Sequence, residues 1–257
     1  MLQAFFVFFF GASLGSFLAV WAERGSLKKA AKGRSHCGNC TMTLKGHHLI
    51  PVISWLGLRG RCGHCKRHLS FTYLLFEAGL GFAFVLLWAH HFGFGLGVLE
   101  ADGLAWSLFL RDLVFTLALA LLFAYDLFRQ TLPDRITLPA VVIAFVWNLL
   151  LGFDIRDLLL GALVVGGFFA LQFFISRGRW IGGGDIRMGV LLGVLLGLAG
   201  GVEALFLAYI FGAGVAIVML LSGVATRKTM IPFGTFLALG GYIVLLWGEE
   251  ILSRITF

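Results

Sequence analysis

Charged side chains are scarce in this sequence, since Asp, Glu, Lys and Arg together make up 13% of its 257 residues. Ordinary soluble domains carry about 25% charged residues, so the composition excludes that class of protein. In their place the chain has 60% hydrophobic residues, including 27 Phe, and a mean hydropathy of +0.96. The sequence therefore predicts an all-α polytopic membrane protein embedded in a lipid bilayer.

Apolar runs long enough to cross a bilayer recur along the chain. A hydrocarbon core of roughly 30 Å needs about 17 to 25 residues of helix. We count eight such runs and expect about eight transmembrane helices, at residues 2–21, 73–91, 107–125, 136–152, 158–176, 186–198, 202–222 and 233–247. The sixth run is short and rich in glycine, so we expect it to be tilted, bent or broken.

Lys and Arg residues indicate which side of the membrane each connecting segment occupies. Seventeen of the 20 lie in segments 24–72, 126–135, 177–187 and 223–232. The positive-inside rule places these four segments in the cytoplasm and both termini outside. The net charge of +7 is explained by this topology, and we expect no nucleic-acid partner.

Cysteine is also rare, and its position is informative. All four cysteines, Cys37, Cys40, Cys62 and Cys65, lie between the first two apolar runs. They form two C-x-x-C pairs separated by 21 residues, close to the spacing of a four-thiolate zinc ribbon. The cytoplasm keeps thiols reduced, which argues against structural disulfides. We expect a structural zinc, because four thiolates leave no coordination position open for water.

These features divide the chain into three parts. Residues 1–22 are expected to form the first transmembrane helix, residues 23–72 a cytoplasmic zinc-binding module with four cysteine ligands, and residues 73–257 a seven-helix membrane core. The module has little apolar core of its own, so we expect metal binding to supply much of its folding energy. Five neighbouring histidines either serve as alternative metal ligands or face solvent without binding the metal: His36, His47, His48, His64 and His68.

The segment WIGGGDIRMG, at residues 180–189, places an isolated carboxylate at the start of the sixth apolar run. Gly182, Gly183 and Gly184 precede Asp185 and carry no side chain that would keep a substrate backbone away from it. An acid at a membrane boundary is a candidate functional residue. The alternative is a flexible loop tip whose aspartate faces water.

Asp126 ends the third apolar run, at the depth expected for Asp185. Two carboxylates that share one proton titrate in two steps, so one can activate a water molecule while the other donates a proton. We therefore pair Asp126 with Asp185 as candidates for general acid/base hydrolysis. The competing pair is Asp134 with Asp185, although an aspartate directly after Pro133 is also typical of a turn or a helix cap.

Two further residues are candidates for supporting this aspartate pair. Glu77 lies about one turn inside the second run, where it either hydrogen-bonds toward the pair, contacts Arg24 or reaches the lipid headgroups. Arg187 follows Asp185 by two positions and either contacts substrate or marks the cytoplasmic side.

Five motifs follow one another along the chain: LGSFLAVWAER, RSHCGNC with LRGRCGHC, YDLFRQTLPD, GGGDIRM and IPFGTFLALGG. Together they resemble the type IV prepilin peptidases, which are membrane-embedded aspartyl proteases of the GxGD kind. The resemblance implies that Asp126 and Asp185 are the catalytic aspartates, and that residues 73–257 form a protease core. It also matches the four cysteines to those of the family's cytoplasmic domain, and implies a multi-pass protein of the bacterial inner membrane with a cytoplasmic active site.

The resemblance further implies a substrate class and a second activity. Family members remove a short basic leader from type IV prepilins or type II secretion pseudopilins, whose adjoining segment is a hydrophobic helix. Many then methylate the new N-terminus with S-adenosylmethionine. This chain departs from the family pattern at residues 70–77, which read SFTYLLFE where members read close to SPRYPLVE, and at Ala19 and Thr235. None of these positions is one of the two aspartates or four cysteines.

Two other functional classes fit part of the sequence. A zinc-regulated membrane transporter would use intramembrane acids for ions, but its acids are expected near mid-bilayer rather than at the cytoplasmic helix ends. A noncatalytic assembly or metal-sensing protein would need the zinc module without the aspartate pair.

Overall fold

The computed structural model describes residues 2–31, 35–37, 40–95, 97–224, 226, 229 and 231–255. These residues form helices and no strand; their only extended pairing is two isolated bridges. The α-helices are α1 Leu2–Arg24, α2 Leu27–Ala31, α3 Ile53–Gly57, α4 Phe71–Phe92, α5 Gly97–Glu100, α6 Gly103–Arg129, α7 Asp134–Leu150, α8 Ile155–Ser176, α9 Gly183–Leu221 and α10 Phe233–Ile255. A short 3-10 helix covers Gly46–Leu49.

Five of these helices are long and apolar enough to cross a membrane: α1, α4, α6, α8 and α9. The predicted all-helical membrane class is therefore confirmed for the part of the chain that the structure describes. A shorter apolar helix lies within α10, over Phe233–Gly248. At 17 residues, α7 is about 26 Å long.

The helices form two compact units, Met1–Leu113 and Val114–Phe257, and α6 contributes residues to both. In the first unit α1 packs closely along α4. A Cβ on Gly11 of α1 would lie 2.8 Å from the Leu80 carbonyl oxygen, and one on Gly15 would lie 2.9 Å from that of Phe76. Small residues at these two positions let the two backbones approach, as is common between membrane helices.

The core of the second unit surrounds the beginning of α9. Its fully buried side chains come from four helices and include Phe115, Leu122, Phe169, Met188, Leu191, Leu192 and Leu237. Helices α8 and α9 touch backbone to backbone where Gly161 faces Gly193, because a Cβ on either glycine would collide with the main chain of the other. This packing fixes the position of the first turn of α9, which carries Asp185.

Helix α9 is two helical segments joined by a sharp reversal at Gly197, whose φ of 74° and ψ of −172° lie outside the helical region. In a straight helix Gly193 and Gly201 would be about 12 Å apart. In this structure a Cβ on Gly201 would lie 3.2 Å from the Cα of Gly193. Residues 183–196 and 198–221 therefore run side by side. The reversal lies at the end of the sixth apolar run and separates it from the seventh, while residues 186–196 form one continuous helical segment.

Side chains from neighbouring helices satisfy the backbone groups that this reversal frees. Asn148 of α7 is fully buried, and its Nδ2 donates to the carbonyl oxygens of Val194 at 2.9 Å and Leu195 at 3.0 Å. The backbone N–H of Leu198 donates to Asp157 Oδ1 of α8 at 3.2 Å. A bilayer offers no water to such groups, so these bonds allow a helix reversal there.

Candidate active site

Asp126 lies in the last turn of α6 and is 6% exposed. Helix α6 continues for three residues beyond it, so Asp126 sits inside the helix end rather than closing it. Its Oδ2 accepts a hydrogen bond from the backbone N–H of Thr235 at 3.0 Å, in the first turn of α10. The first N–H groups of a helix have no partner within the helix and favour a negative charge, so this contact orients the carboxylate.

Gly234 makes this contact possible. A Cβ at this position would lie 2.8 Å from Asp126 Oδ2 and 3.0 Å from its Cγ, so any side chain there would displace the carboxylate or the helix. The sequence pattern predicted no role for Gly234 or for the N–H of Thr235. Their signal was the motif IPFGTFLALGG, in which the glycine stands immediately before Thr235.

Asp185 occupies the first turn of α9, where its Oδ2 accepts a hydrogen bond from the backbone N–H of Gly182 at 3.2 Å. Gly182 is the N-cap and is exposed, while Gly183 and Gly184 already belong to the helix. The GGGD segment is therefore a helix start rather than a loop tip. A Cβ on Gly183 would meet no atom within 4 Å, so the space beside it is open.

The structure brings Asp126 and Asp185 into one site. Their carboxylates are close enough to interact electrostatically. Leu132 lies between the helices that carry them: a Cβ on Gly184 would lie 3.0 Å from Leu132 Cβ, and one on Gly234 would lie 3.1 Å from Leu132 Cδ1. The end of α6 and the beginnings of α9 and α10 thus converge around one buried leucine.

Asp134 has a different partner. Arg187 contacts it with both terminal nitrogens, at 2.8 Å from Nη2 to Oδ1 and 3.1 Å from Nη1 to Oδ2. The Asp134 side chain is 53% exposed, whereas Asp126 is buried. Such a bidentate pair fixes orientation, so Arg187 connects the beginning of α7 to the first turn of α9, two residues after Asp185. The geometry therefore favours Asp126 over Asp134 as the partner of Asp185.

Glu77 belongs to the first unit, and its described contact lies in the cysteine-bearing module. Its Oε2 accepts a hydrogen bond from the backbone N–H of Val52 at 2.8 Å. Val52 has a φ of 64°, a conformation unusual for a β-branched residue, and the bond to Glu77 holds the chain there. The sequence had suggested a bond toward the aspartate pair, a contact with Arg24 or a position at the lipid headgroups. The bond from the backbone of Val52 was not among these three.

The four cysteines form a single cluster. The Sγ atoms of Cys37, Cys40, Cys62 and Cys65 all lie within 4.8 Å of one another, and those of Cys37 and Cys65 are 3.9 Å apart. A tetrahedral zinc site with Zn–S bonds of about 2.3 Å places its sulfurs about 3.8 Å apart. The donor set therefore fits zinc. Within the described residues no histidine joins this cluster, so the predicted ligands are the cysteines alone.

The two halves of the cluster are built alike, 25 residues apart. The N–H of the first cysteine in each pair donates to the carbonyl five residues later, Cys37 to Met42 at 3.0 Å and Cys62 to Arg67 at 2.9 Å. The residue four positions after that cysteine has a positive φ in both halves, 54° at Thr41 and 58° at Lys66. Equivalent antiparallel bridges close the two turns. Each turn thereby presents two thiols to one side.

When these thiols ionise, their negative charges repel one another. The backbone hydrogen bond from Met42 lowers the pKa of Cys40, but desolvation and hydrogen bonds with Cys65, Cys37 and Cys62 together raise the pKa from 9.0 to about 11. Four such groups ionise together only when a cation offsets their charge. The arrangement is that of a metal-binding site rather than of a reactive thiol.

Comparison with known proteins identifies relatives for both halves of the chain. Residues 9–91 match the family described as Bacterial Peptidase A24 N-terminal domain, and residues 113–217 match the Type IV leader peptidase family. A prepilin leader peptidase/N-methyltransferase of Stutzerimonas stutzeri is 34% identical over 226 residues, covering 85% of this chain and 73% of the relative. Proteins of the same name from Pseudomonas putida and Legionella pneumophila are 33% and 31% identical, over 85% and 86% of this chain and 74% of each relative. No solved structure matches.

Proposed function

This chain belongs to the type IV leader peptidase family, and on that premise we propose that it is an aspartic endopeptidase of the bacterial inner membrane. Its substrates are type IV prepilins or type II secretion pseudopilins, from which it removes a basic leader beside a hydrophobic helix. It then methylates the new N-terminus with S-adenosylmethionine. The names of the relatives favour this function over a zinc-regulated transporter or a noncatalytic assembly protein.

The observation that carries the proposal is the approach of Asp126 to Asp185. Both are held by backbone N–H groups at helix starts, that of Thr235 for Asp126 and that of Gly182 for Asp185. With one proton between them, the ionised carboxylate takes a proton from water as that water attacks the scissile carbonyl. The protonated carboxyl group then supplies a proton to the departing amine. No metal is needed at this pair.

The glycines around the pair support an extended substrate backbone at this site. Gly182 is exposed and Gly183 borders open space, so a substrate main chain can approach Asp185 without meeting a side chain. A glycine before the cleaved bond in the substrate would help that segment to leave the helical conformation. We therefore propose that the substrate-approach segment consists of Gly182, Gly183 and Gly184. The contact between Arg187 and Asp134 holds the beginning of α9, and with it this segment, in position.

We also propose eight membrane crossings. Helices α1, α4, α6 and α8 each cross the membrane once, and the two segments of α9 cross it once each. Helices α7 and α10 provide the remaining two crossings. This count places both termini outside and the basic segments in the cytoplasm. Arg129 and Arg187 follow the two aspartates closely in sequence, which supports a cytoplasmic position for the active site. The cysteine module, between the first two crossings, is then also cytoplasmic.

Zinc is proposed as a structural ion held by Cys37, Cys40, Cys62 and Cys65. When bound, it supplies a positive charge that stabilises four thiolates and joins the two turns of the module. The cysteines themselves fix the geometry of the residues that follow each pair. Because all four positions are thiolates, the site leaves no place for a catalytic water.

The deciding experiment is cleavage of a purified prepilin by the detergent-solubilised protein and its Asp126→Asn and Asp185→Asn variants. Each substitution should lower the cleavage rate by about 100-fold or more, because general acid/base groups contribute about 10²–10⁴-fold. Asp134→Asn tests the competing pair: it should lower the rate far less, because it weakens the contact with Arg187 without removing either carboxylate of the proposed pair. Normal cleavage by either the Asp126 or the Asp185 variant would show that the pair is not catalytic, and a thermal unfolding midpoint equal to that of wild type would establish that the variants are folded.

A further inference from the structure

The cysteine module exposes apolar side chains around α3. Ile50, Ile53 and Leu56 follow one another at intervals of three residues, and they are 41%, 52% and 56% exposed. Ile53 and Leu56 lie on one face of α3, since residues three positions apart in a helix are neighbours. No residue of α3 is buried. An exposed group of large apolar side chains marks a surface that binds lipid or protein.

Contacts with α4 determine the depth of this surface. The backbone N–H of Val52 donates to Glu77 Oε2 at 2.8 Å, and the ring centroids of Trp55 and Phe71 are 5.7 Å apart. Helix α4 is long and apolar enough to cross a membrane, and Glu77 lies six residues, or about 9 Å, beyond its first residue. Val52 and its neighbours are therefore held beside the first two turns of α4 rather than beyond its end.

The apolar surface around α3 continues onto α4. Phe71 and Leu75 are exposed on neighbouring turns of α4, and the Phe71 ring contacts Trp55. A helix that crosses a membrane presents such side chains to lipid, so the surface around α3 extends the lipid-facing surface of α4. Elements that lie in the membrane interface bury their apolar face about 5–10 Å deep, which agrees with the level of Glu77. Trp is also enriched at this level of a membrane.

A basic pocket begins where α3 ends. Its volume is about 350 Å³, and Leu58, the residue that caps α3, forms part of its lining. The N–H of Gly60 donates to the Trp55 carbonyl oxygen at 2.8 Å, so the backbone joins the pocket to α3. The other residues that line the pocket are Arg59, Arg61, Cys62, Lys66 and His68. None of them is acidic.

Charge in this part of the sequence has one sign. Residues 24–76 contain ten Lys and Arg and no Asp or Glu. The positive-inside rule requires basic residues on the cytoplasmic side, but it does not require that they surround one pocket. Such a pocket attracts an anion and repels the basic leader of a prepilin. The cytoplasmic leaflet offers anions as lipid headgroups, and a phospholipid also carries the acyl chains that suit the adjacent apolar surface.

We propose that residues 50–56 insert into the cytoplasmic leaflet and that the pocket formed by Arg59, Arg61, Lys66 and His68 binds the phosphate of an anionic phospholipid. The inference goes beyond the proposed peptidase activity and uses only the crossings of α1 and α4 and the cytoplasmic side of the module. The cysteine module is then bound to the membrane surface rather than free in the cytoplasm. Its orientation is fixed at two points, by Glu77 and by the lipid headgroup.

Insertion of the apolar surface is tested by photo-crosslinking in nanodiscs of phosphatidylcholine and phosphatidylglycerol. Leu56→benzoylphenylalanine should form adducts with acyl chains, detected by mass spectrometry, because the side chain at this position lies among them. Met42→benzoylphenylalanine is the matched control, since Met42 is also an exposed apolar residue of the module but its described backbone bond is to Cys37. The control should give few lipid adducts. Equal yields at the two positions, or no lipid adduct at Leu56, would overturn the insertion.

The pocket is tested by binding of dioctanoyl phosphatidylglycerol to the detergent-solubilised protein, measured by native mass spectrometry. Arg59→Gln combined with Lys66→Gln should weaken binding by about 10-fold or more, because a basic residue near an anionic lipid contributes about fivefold. Lys28→Gln combined with Lys45→Gln removes the same charge from exposed positions that do not line the pocket. This control should stay within about twofold of wild type, since salt screens exposed charges that do not contact the lipid.

Equal weakening in the two double variants would overturn the pocket. Displacement of the lipid by an equal concentration of inorganic phosphate would also overturn it, because the pocket would then be a site for a free anion. Zinc content identifies variants with a folded module; Ile53→benzoylphenylalanine replaces the Leu56 variant, and Arg59→Gln alone replaces the double variant, if either loses its zinc. No measurement here uses a substrate, so failure of this inference and failure of the peptidase function are distinguished.

Discussion

At Gly234, the absence of a side chain determines whether α10 can begin beside Asp126. A Cβ would lie within 3.1 Å of three atoms, in Asp126 and Leu132, and two of these belong to the carboxylate itself. The approach places the N–H of Thr235 within hydrogen-bond distance of that carboxylate. The backbone of α10 is therefore part of the site even though none of its side chains is assigned to the chemistry.

Replacing Gly234 by alanine should lower the cleavage rate by about 100-fold, because a shift of about 1 Å in a reacting group can have an effect of that size. The rate is measured with purified prepilin, and thermal unfolding is measured in parallel. Gly167→Ala is the control, since a Cβ there meets nothing within 4 Å. Equal cleavage by both alanine variants would mean that the contact between Gly234 and Asp126 has no catalytic consequence.

The sequence identified the acids of the site better than their surroundings. Asp126 and Asp185 are recognisable because few carboxylates stand next to apolar runs on the predicted cytoplasmic side. Leu132 and Gly234 carry no chemical group that would mark them, and Gly234 reaches Asp126 across 108 positions of sequence. The sequence favoured Asp126 over Asp134 because Asp134 directly follows Pro133, but it gave no sign of the bidentate contact between Asp134 and Arg187.

At the scale of an element, α9 depends on side chains from its neighbours. Asn148 of α7 binds two carbonyl oxygens before Gly197, and Asp157 of α8 binds the N–H of Leu198 after it. Counting residues 186–198 and 202–222 as separate crossings predicted that the chain reverses between them. The sequence did not identify Gly197 as the position of the reversal, since that depends on its φ and on two residues from other helices.

Asn148→Leu should destabilise the protein by about 1–3 kcal/mol, because it leaves buried carbonyl groups without a donor. Unfolding in mixed detergent micelles, followed by circular dichroism, measures this loss. Val142→Leu on the same helix is the control, because Val142 is 62% exposed whereas Asn148 is fully buried. An unchanged unfolding midpoint for Asn148→Leu would show that other groups satisfy the carbonyls of Val194 and Leu195.

At the scale of the whole molecule, the two compact units carry separate chemistry. The aspartate pair and every described partner of it lie in Val114–Phe257, while the cysteine cluster lies in Met1–Leu113. Composition was enough to predict the membrane class, because so apolar a chain has no soluble alternative. It could not define the number of crossings, since α7 is short and α9 contains two segments.

Purified protein should contain one zinc ion per chain, and chelation or Cys62→Ser should expose the segment around 35–69 to proteolysis. Structural zinc contributes on the order of 10 kcal/mol to the folding free energy of small modules.

The affinity for zinc should depend on pH. The thiol pKa of Cys40 is raised to about 11, so zinc must displace protons when it binds, and its affinity should fall as pH is lowered from about 8 to about 6. Zinc content measured across this range checks the sign, and pH-independent binding would contradict thiolate ligation.

The near-identity of the two cysteine turns has a consequence for the order of assembly during synthesis. The first turn leaves the ribosome 25 residues ahead of the second and carries two thiols that can bind a metal ion. It can hold an ion weakly until the second turn arrives on the same chain, at the high effective concentration that a short tether gives. Either turn is chemically competent to be first, so the direction of translation alone determines which one captures the metal.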